Sequence, residues 1–208
     1  MYRYSKSITF STRELRDLSV SVVVLALCFT IARFYGNWVA LISVSWFLYL
    51  FLASFVAVIT AFVFHELAHK YVANRYGYWA EYRASYFFLA IALACSLFLG
   101  FVFAAPGAVV IAGYLSRREN GIISIAGPIT NYVVALVLLP PFLLHLFSGF
   151  LAYLIETVIF VNLFIAGFNL IPFGNLDGAK VLAWNWRIWL LALIAIGITF
   201  ILAFFILS

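Results

Sequence analysis

Charged side chains are what this sequence has least of. Asp, Glu, Lys and Arg together make up 9% of its 208 residues, against 67% for the hydrophobic types. A soluble domain carries about 25% charged residues, so this chain has too little polar surface to cover itself in water. That excludes an ordinary soluble domain and places the chain in lipid. The short alternating segments of a membrane β-barrel are also lacking; the apolar residues come instead in long unbroken runs. Backbone groups in a bilayer core must be bonded internally, and about 20 apolar residues cross it as a helix. The expected fold class is therefore an all-α polytopic membrane protein.

Cysteine is nearly absent. Cys28 and Cys95 both fall inside apolar stretches, where the residue is a small buried hydrophobe rather than half of a disulfide, and so says little of the redox compartment. The net charge of +5 is spread between apolar runs rather than gathered in one stripe, so no nucleic-acid partner is expected. The first 17 residues are polar and basic and precede an apolar run from Leu18 to Phe34, as in a signal peptide. No small-residue cleavage site follows, Ala32-Arg33-Phe34 being a poor candidate, and the run is read as a retained first span.

Apolar runs between polar breaks give five full spans at roughly 18–34, 39–71, 121–147, 150–174 and 183–207. Between the second and third lies 84–118, interrupted by Gly100, Pro106, Gly107 and Gly113. It is read as a hairpin or re-entrant segment, making about six membrane segments in all. If that stretch returns to the side it left, Arg3, Lys6, Arg13, Arg16, Lys70, Arg75, Arg83, Arg117, Arg118, Lys180 and Arg187 share one side and only Arg33 lies on the other. Lys and Arg collect in cytoplasmic loops, so that side, with the N-terminus, is expected to face the cytoplasm, the membrane being the cell membrane. Tyr71, Tyr76, Tyr78, Trp79, Tyr82 and Tyr86 read as an interfacial aromatic belt. One domain, 1–208, is expected, with a core at about 39–180 and peripheral helices at about 18–34 and 183–207.

Of three histidines, two fall in Phe64-His65-Glu66-Leu67-Ala68-His69, an HExxH motif near the end of a helical run. Positions i and i+4 project from nearly one face, so the two imidazoles can grip one ion, while Glu66 lies about 100° round the helix, within reach of a water. Ionisable groups inside a bilayer are costly and point to function. Zinc catalysis uses three protein ligands and an open position. His145 falls at the far end of the third span, whereas Asp177 follows a run broken by Pro172 and Gly174 and precedes Gly178. An unwound segment there can turn a carboxylate inward. The metal ligands expected are His65, His69 and Asp177, with one Zn2+ per chain. Requiring Asp177 to meet the histidines puts them on one side, as the basic residues do independently.

The pairing of His65-Glu66-xx-His69 with Asn169-xx-Pro172-xxxx-Asp177-Gly178, with Gly127-Pro128-Ile129-Thr130-Asn131 between them, resembles the site-2 protease family of intramembrane zinc metalloproteases. The resemblance implies a three-helix catalytic core, zinc on His65, His69 and Asp177, Glu66 as catalytic base, and extra helices at the ends. It also implies a transmembrane protein substrate in a lipid bilayer, such as a membrane-anchored regulator, cut in regulated intramembrane proteolysis. The long apolar insertion after the HExxH helix and the single span after Asp177 depart from the family pattern. For the oxyanion or substrate positioning, Asn169 and Asn131 are candidates, Asn169 the preferred one, with helix packing as its alternative. Residues 104–111 read either as a short extended stretch able to pair with a substrate strand or as a packed apolar turn. A metal permease would use the same residues as an ion path, but inverted repeats are not evident.

Overall fold

Serine marks where most of the helices begin. A short hydroxyl can accept from the first free N–H groups of a helix, and the structure, a computed structural model, uses it repeatedly. It describes residues 8–36 and 43–207, the side chains of 206 and 207 excepted; Arg3, Lys6 and the start of the second expected span at 39 lie outside the described residues. Ser11 caps α1 (Thr12–Arg33) through the Glu14 N–H, and Ser43 caps α2 (Val44–Val58). Helix α2 passes through a π-helical turn, Ile59–Val63, straight into α3 (Phe64–Arg75). Strand β1 (Trp79–Ala84) follows, then α4 (Tyr86–Leu99), capped by Ser85 and stopped by Gly100 in the left-handed region. Strand β2 (Gly107–Ala112) leads to α5 (Arg117–Leu143), where Ser116 and Glu119 form a reciprocal capping box. The chain ends with α6 (Gly149–Asn169), α7 (Asp177–Trp184) and α8 (Trp186–Leu207).

Among the described residues, five helices are long and apolar enough to cross a membrane: α1, the continuous Val44–Arg75, α5, α6 and α8. At 1.5 Å per residue, the 14 residues of α4 reach about 21 Å, short of a bilayer core of about 30 Å. The sheet shows what that segment does instead. Strands β1 and β2 are antiparallel, with Ala84 opposite Gly107, and the Ser85 N–H donates to the Pro106 carbonyl at 2.8 Å. Residues 85–106 therefore leave the sheet and return to it, the re-entrant path expected from the glycines and Pro106. With that return, Arg13, Arg16, Arg75, Arg83, Arg117, Arg118, Lys180 and Arg187 gather at one end of the bundle, while Arg33 ends α1 at the other.

Packing is uneven. Helices α1 and α6 have half of their apolar windows buried, whereas α8 has 11%, so α8 turns most of its surface to lipid. Between the inner helices, Leu25, Ala26, Ala57, Val58 and Ala61 are fully enclosed; small residues let backbones approach where no solvent drives association.

Three expectations are revised. The first helix begins at Thr12 rather than 18, because Glu14 and Asp17 are buried and bonded to β1 instead of facing water. The aromatic belt contains a strand: Tyr82 is 1% exposed, packs edge-to-face on Phe62 at 5.3 Å and bonds through its hydroxyl to Ser21, while Tyr71, Tyr76 and Tyr86 are exposed. The side chains of a strand alternate between faces, which no belt requires. The last expected span, 183–207, begins as a helix at Trp186 rather than 183, because α7 ends at Trp184 and Asn185 between them has an extended backbone.

Candidate metal and active site

Helix α3 carries His65 and His69 one turn apart, and their rings meet edge to face with centroids 4.6 Å apart. Helix α7 begins at Asp177. Its Oδ2 lies 3.1 Å from Nε2 of His65 and 3.0 Å from Nε2 of His69. All three residues are buried, and among the described residues they are the one cluster of His, Cys, Asp or Glu whose ligand atoms so converge, within 4.8 Å of one another. His145 is not part of it; it sits just past α5, at the bundle's other end, with a φ of 53°.

Helix α5 holds the histidines in place from behind. The Nδ1–H of His69 donates to the Ile123 carbonyl at 2.7 Å, and the Nδ1–H of His65 donates to Oδ1 of Asn131 at 2.5 Å. Residues 123 and 131 are two turns apart, and Gly127 lies between them on the same face. A Cβ at Gly127 would fall 2.5 Å from Nε2 of both histidines, so only glycine leaves room for the two imidazoles and an ion between them. With both Nδ1 atoms donating, both Nε2 lone pairs are aimed at Asp177.

The carboxylate arrives by a broken helix. Helix α6 ends at Asn169, and the turn that follows contains Pro172 and Gly174 with a φ of 56°. The return is tight: a Cβ on Gly178 would lie 2.1 Å from the Leu170 carbonyl oxygen. That same carbonyl accepts from Trp189 Nε1 at 2.8 Å, which ties α8 to the turn.

These groups open onto a cavity of about 490 Å³. Glu66 lines it beside the histidines, 8% exposed, and its Oε2 has no hydrogen-bond partner. A buried carboxylate oxygen without a partner is costly unless something else is to meet it. Two imidazoles of fixed tautomer, one carboxylate, and a free position facing the cavity fit the donor set of a catalytic zinc centre. Asn169 also lines the cavity, with its amide donating to Ile165 at 3.0 Å. Asn131 is placed differently: fully enclosed, it stands behind His65 and bonds to the Ala61 carbonyl and Asn162.

Across the cavity from the histidines runs β2. The outer edge of β1 is covered, since Tyr82 N–H donates to Glu14 at 3.1 Å and Ala84 N–H to Asp17 at 3.3 Å. Those two residues stand opposite Val109 and Gly107. In an antiparallel pair such residues form the non-bonded rungs, so Gly107, Val109 and Ile111 turn their backbone groups away from β1. All three line the cavity.

Sequence reasoning missed Ile123, Asn162, Glu14 and Lys70. The signal for Asn162 was an amide in the middle of an apolar span. For Glu14 and Lys70 it was a charge of each sign close to a hydrophobic run. Their side chains meet at 2.5 Å, both buried.

No family model matches the sequence, and no solved structure matches it. Among curated proteins of Methanocaldococcus jannaschii, the chain is 44% identical over 184 residues to one named "Putative zinc metalloprotease MJ0611", covering 86% of this chain and 88% of that one. It is 32% identical over 142 residues to "Zinc metalloprotease MJ0392", covering 67% of this chain and 34% of that longer protein. With that extent of identity and a site whose donors suit the metal, this chain belongs to the zinc metalloprotease family of these archaeal proteins.

Proposed function

We propose that this chain is an intramembrane zinc metalloprotease of the site-2 protease type, hydrolysing peptide bonds in or near the transmembrane segments of membrane-anchored proteins. The observation that carries the proposal is the convergence of His65, His69 and Asp177 beside Glu66, in a cavity bordered by an open strand edge. The same reading places the N-terminus and the active site on the cytoplasmic side of a cell membrane, supported by the basic residues gathered at that end. Membrane-anchored regulators, cut in regulated intramembrane proteolysis, are the proposed substrates.

His65, His69 and Asp177 would hold one Zn2+. When bound, the ion supplies Lewis acidity, which makes water nucleophilic near neutral pH and polarises a carbonyl. Glu66, which lines the cavity and keeps one carboxylate oxygen without a hydrogen-bond partner, takes the proton from the attacking water and delivers it to the leaving amine. A helical substrate hides its carbonyls, so it must be drawn out. Gly107, Val109 and Ile111 offer unpaired N–H and C=O groups to a substrate strand, holding it extended across the cavity from Glu66. The covered edge of β1 leaves the substrate no second edge to choose. Asn169 lines the same cavity and is proposed to donate to the developing oxyanion.

Metal analysis paired with a cleavage assay tests this. The purified protein should hold about one zinc per chain, and Glu66→Gln should keep it while cleavage of a transmembrane model substrate falls by about 100- to 10,000-fold. Cleavage at the wild-type rate by that variant would remove the enzyme reading.

A further inference from the structure

We propose that Asn162, on α6, is a positioning residue for the metal ligand His65, acting through Asn131 to fix which imidazole nitrogen carries the proton. The proposal rests on the metalloprotease reading of the site. A carbonyl oxygen can only accept, so three backbone carbonyls dictate every orientation in the chain of side chains behind His65. The Thr60 hydroxyl donates to the Ala57 carbonyl at 2.9 Å, leaving its oxygen free to accept. Nδ2 of Asn162 donates to that oxygen at 3.1 Å and to the Val158 carbonyl at 2.9 Å. Oδ1 of Asn162 must then face the other way, where it accepts from Nδ2 of Asn131 at 3.0 Å. The second Nδ2 proton of Asn131 goes to the Ala61 carbonyl at 2.6 Å.

What remains of Asn131 is its oxygen, and it lies 2.5 Å from Nδ1 of His65. An acceptor at that place requires Nδ1 to carry the proton and leaves the Nε2 lone pair toward Asp177. A flipped amide would present a donor instead, put the proton on Nε2, and disqualify His65 as a ligand. The two histidines differ in this respect. His69 is held by the Ile123 carbonyl, which cannot exchange donor for acceptor. His65 is held by an amide that can, and a second amide holds the first. Asn131 and Asn162 are 0% exposed, so no solvent stands ready to satisfy the wrong orientation. Thr60 and Ala61 both lie in the π-helical turn ahead of the HExxH motif, which gives that distortion a task; such turns frequently occur at functional sites.

The experiment uses the full chain in detergent micelles, with two readouts: histidine ring 15N chemical shifts in metal-free protein, which report the tautomer, and zinc affinity by competition with a chromophoric chelator. The chain has three histidines, so each ring can be assigned by substitution. In the wild type, His65 should be found as the Nδ1–H tautomer. In Asn162→Leu it should become a mixture, with zinc affinity about 10- to 100-fold weaker. Asn162→Asp, a carboxyl group that burial keeps neutral, presents one accepting and one donating oxygen and should restore the tautomer and bring affinity to within about threefold of wild type. An unchanged tautomer and wild-type affinity in Asn162→Leu would overturn the proposal. Should that variant fail to fold, Thr60→Val removes the acceptor one link further out; it should shift both readouts the same way by less, and no shift there overturns the proposal equally. A wild type that binds no zinc would defeat the metalloprotease reading instead, and the tautomer comparison would still decide the role of Asn162.

Discussion

The two ends of the helix bundle handle charge in opposite ways. At the end that carries the HExxH motif, Glu14, Lys70 and Glu81 are buried and bonded into a network. Lys70 donates to Glu14 and to the Thr9 carbonyl at 2.6 Å, Glu14 accepts from β1, and Glu81 bonds to Ser11 and Arg83. At the other end, Arg33 and Glu156 border a cavity of about 420 Å³ lined largely by phenylalanine. There Arg33 lies over the rings of Tyr153 and Phe160 at 5.8 and 5.7 Å. Rings tolerate small displacements, whereas a buried ion pair with satisfied hydrogen bonds admits few geometries. The difference teaches where rigidity is needed: the networked end sets the distance between β2 and the histidines, and the aromatic end has only to fill space.

The contrast is broken most severely at the site itself. Gly127→Ala drives a methyl group into the space between the two Nε2 atoms, so zinc affinity should fall at least as far as for lost outer partners, about 100-fold, as read by chelator competition. Next comes the ion pair. Glu14→Leu leaves the Lys70 ammonium buried without its carboxylate, and unfolding in detergent should show a loss of about 3–5 kcal/mol. Smallest is the change at the aromatic end. Arg33→Gln removes two cation–π contacts at an exposed position and should cost about 0.5–1 kcal/mol, leaving zinc content unchanged. A larger loss at Arg33 than at Glu14 would reverse the comparison.

The same contrast explains what could be read in the sequence. His65, His69 and Asp177 were legible because a helix fixes i and i+4 on one face and because Pro172 and Gly174 must end a helix. The reversal over 84–118 was legible from its glycines and from the balance of basic residues. Strand β1 was not. Its six residues carry Glu81 and Arg83 among aromatics, a composition shared with an interfacial belt, and its partners Glu14 and Asp17 are more than sixty residues away. The start of α1 was misplaced for the same reason, since acidic residues in a sequence look solvated until the strand they bond is known. Asn131 was visible in the Gly-Pro motif, but its direction, toward His65 rather than the cavity, depends on the register between α5 and α3 that no local pattern records.

The account's central claim is that two imidazoles from α3 and one carboxylate from α7 share a single ion. X-ray absorption at the zinc edge, on the purified full-length chain and on Asp177→Ala, tests it most directly. The wild type should show about one zinc with two imidazoles and oxygen in its first shell, and the variant should lose most of its metal. A first shell without two imidazoles, or an Asp177→Ala protein that keeps its zinc unchanged, would contradict the account.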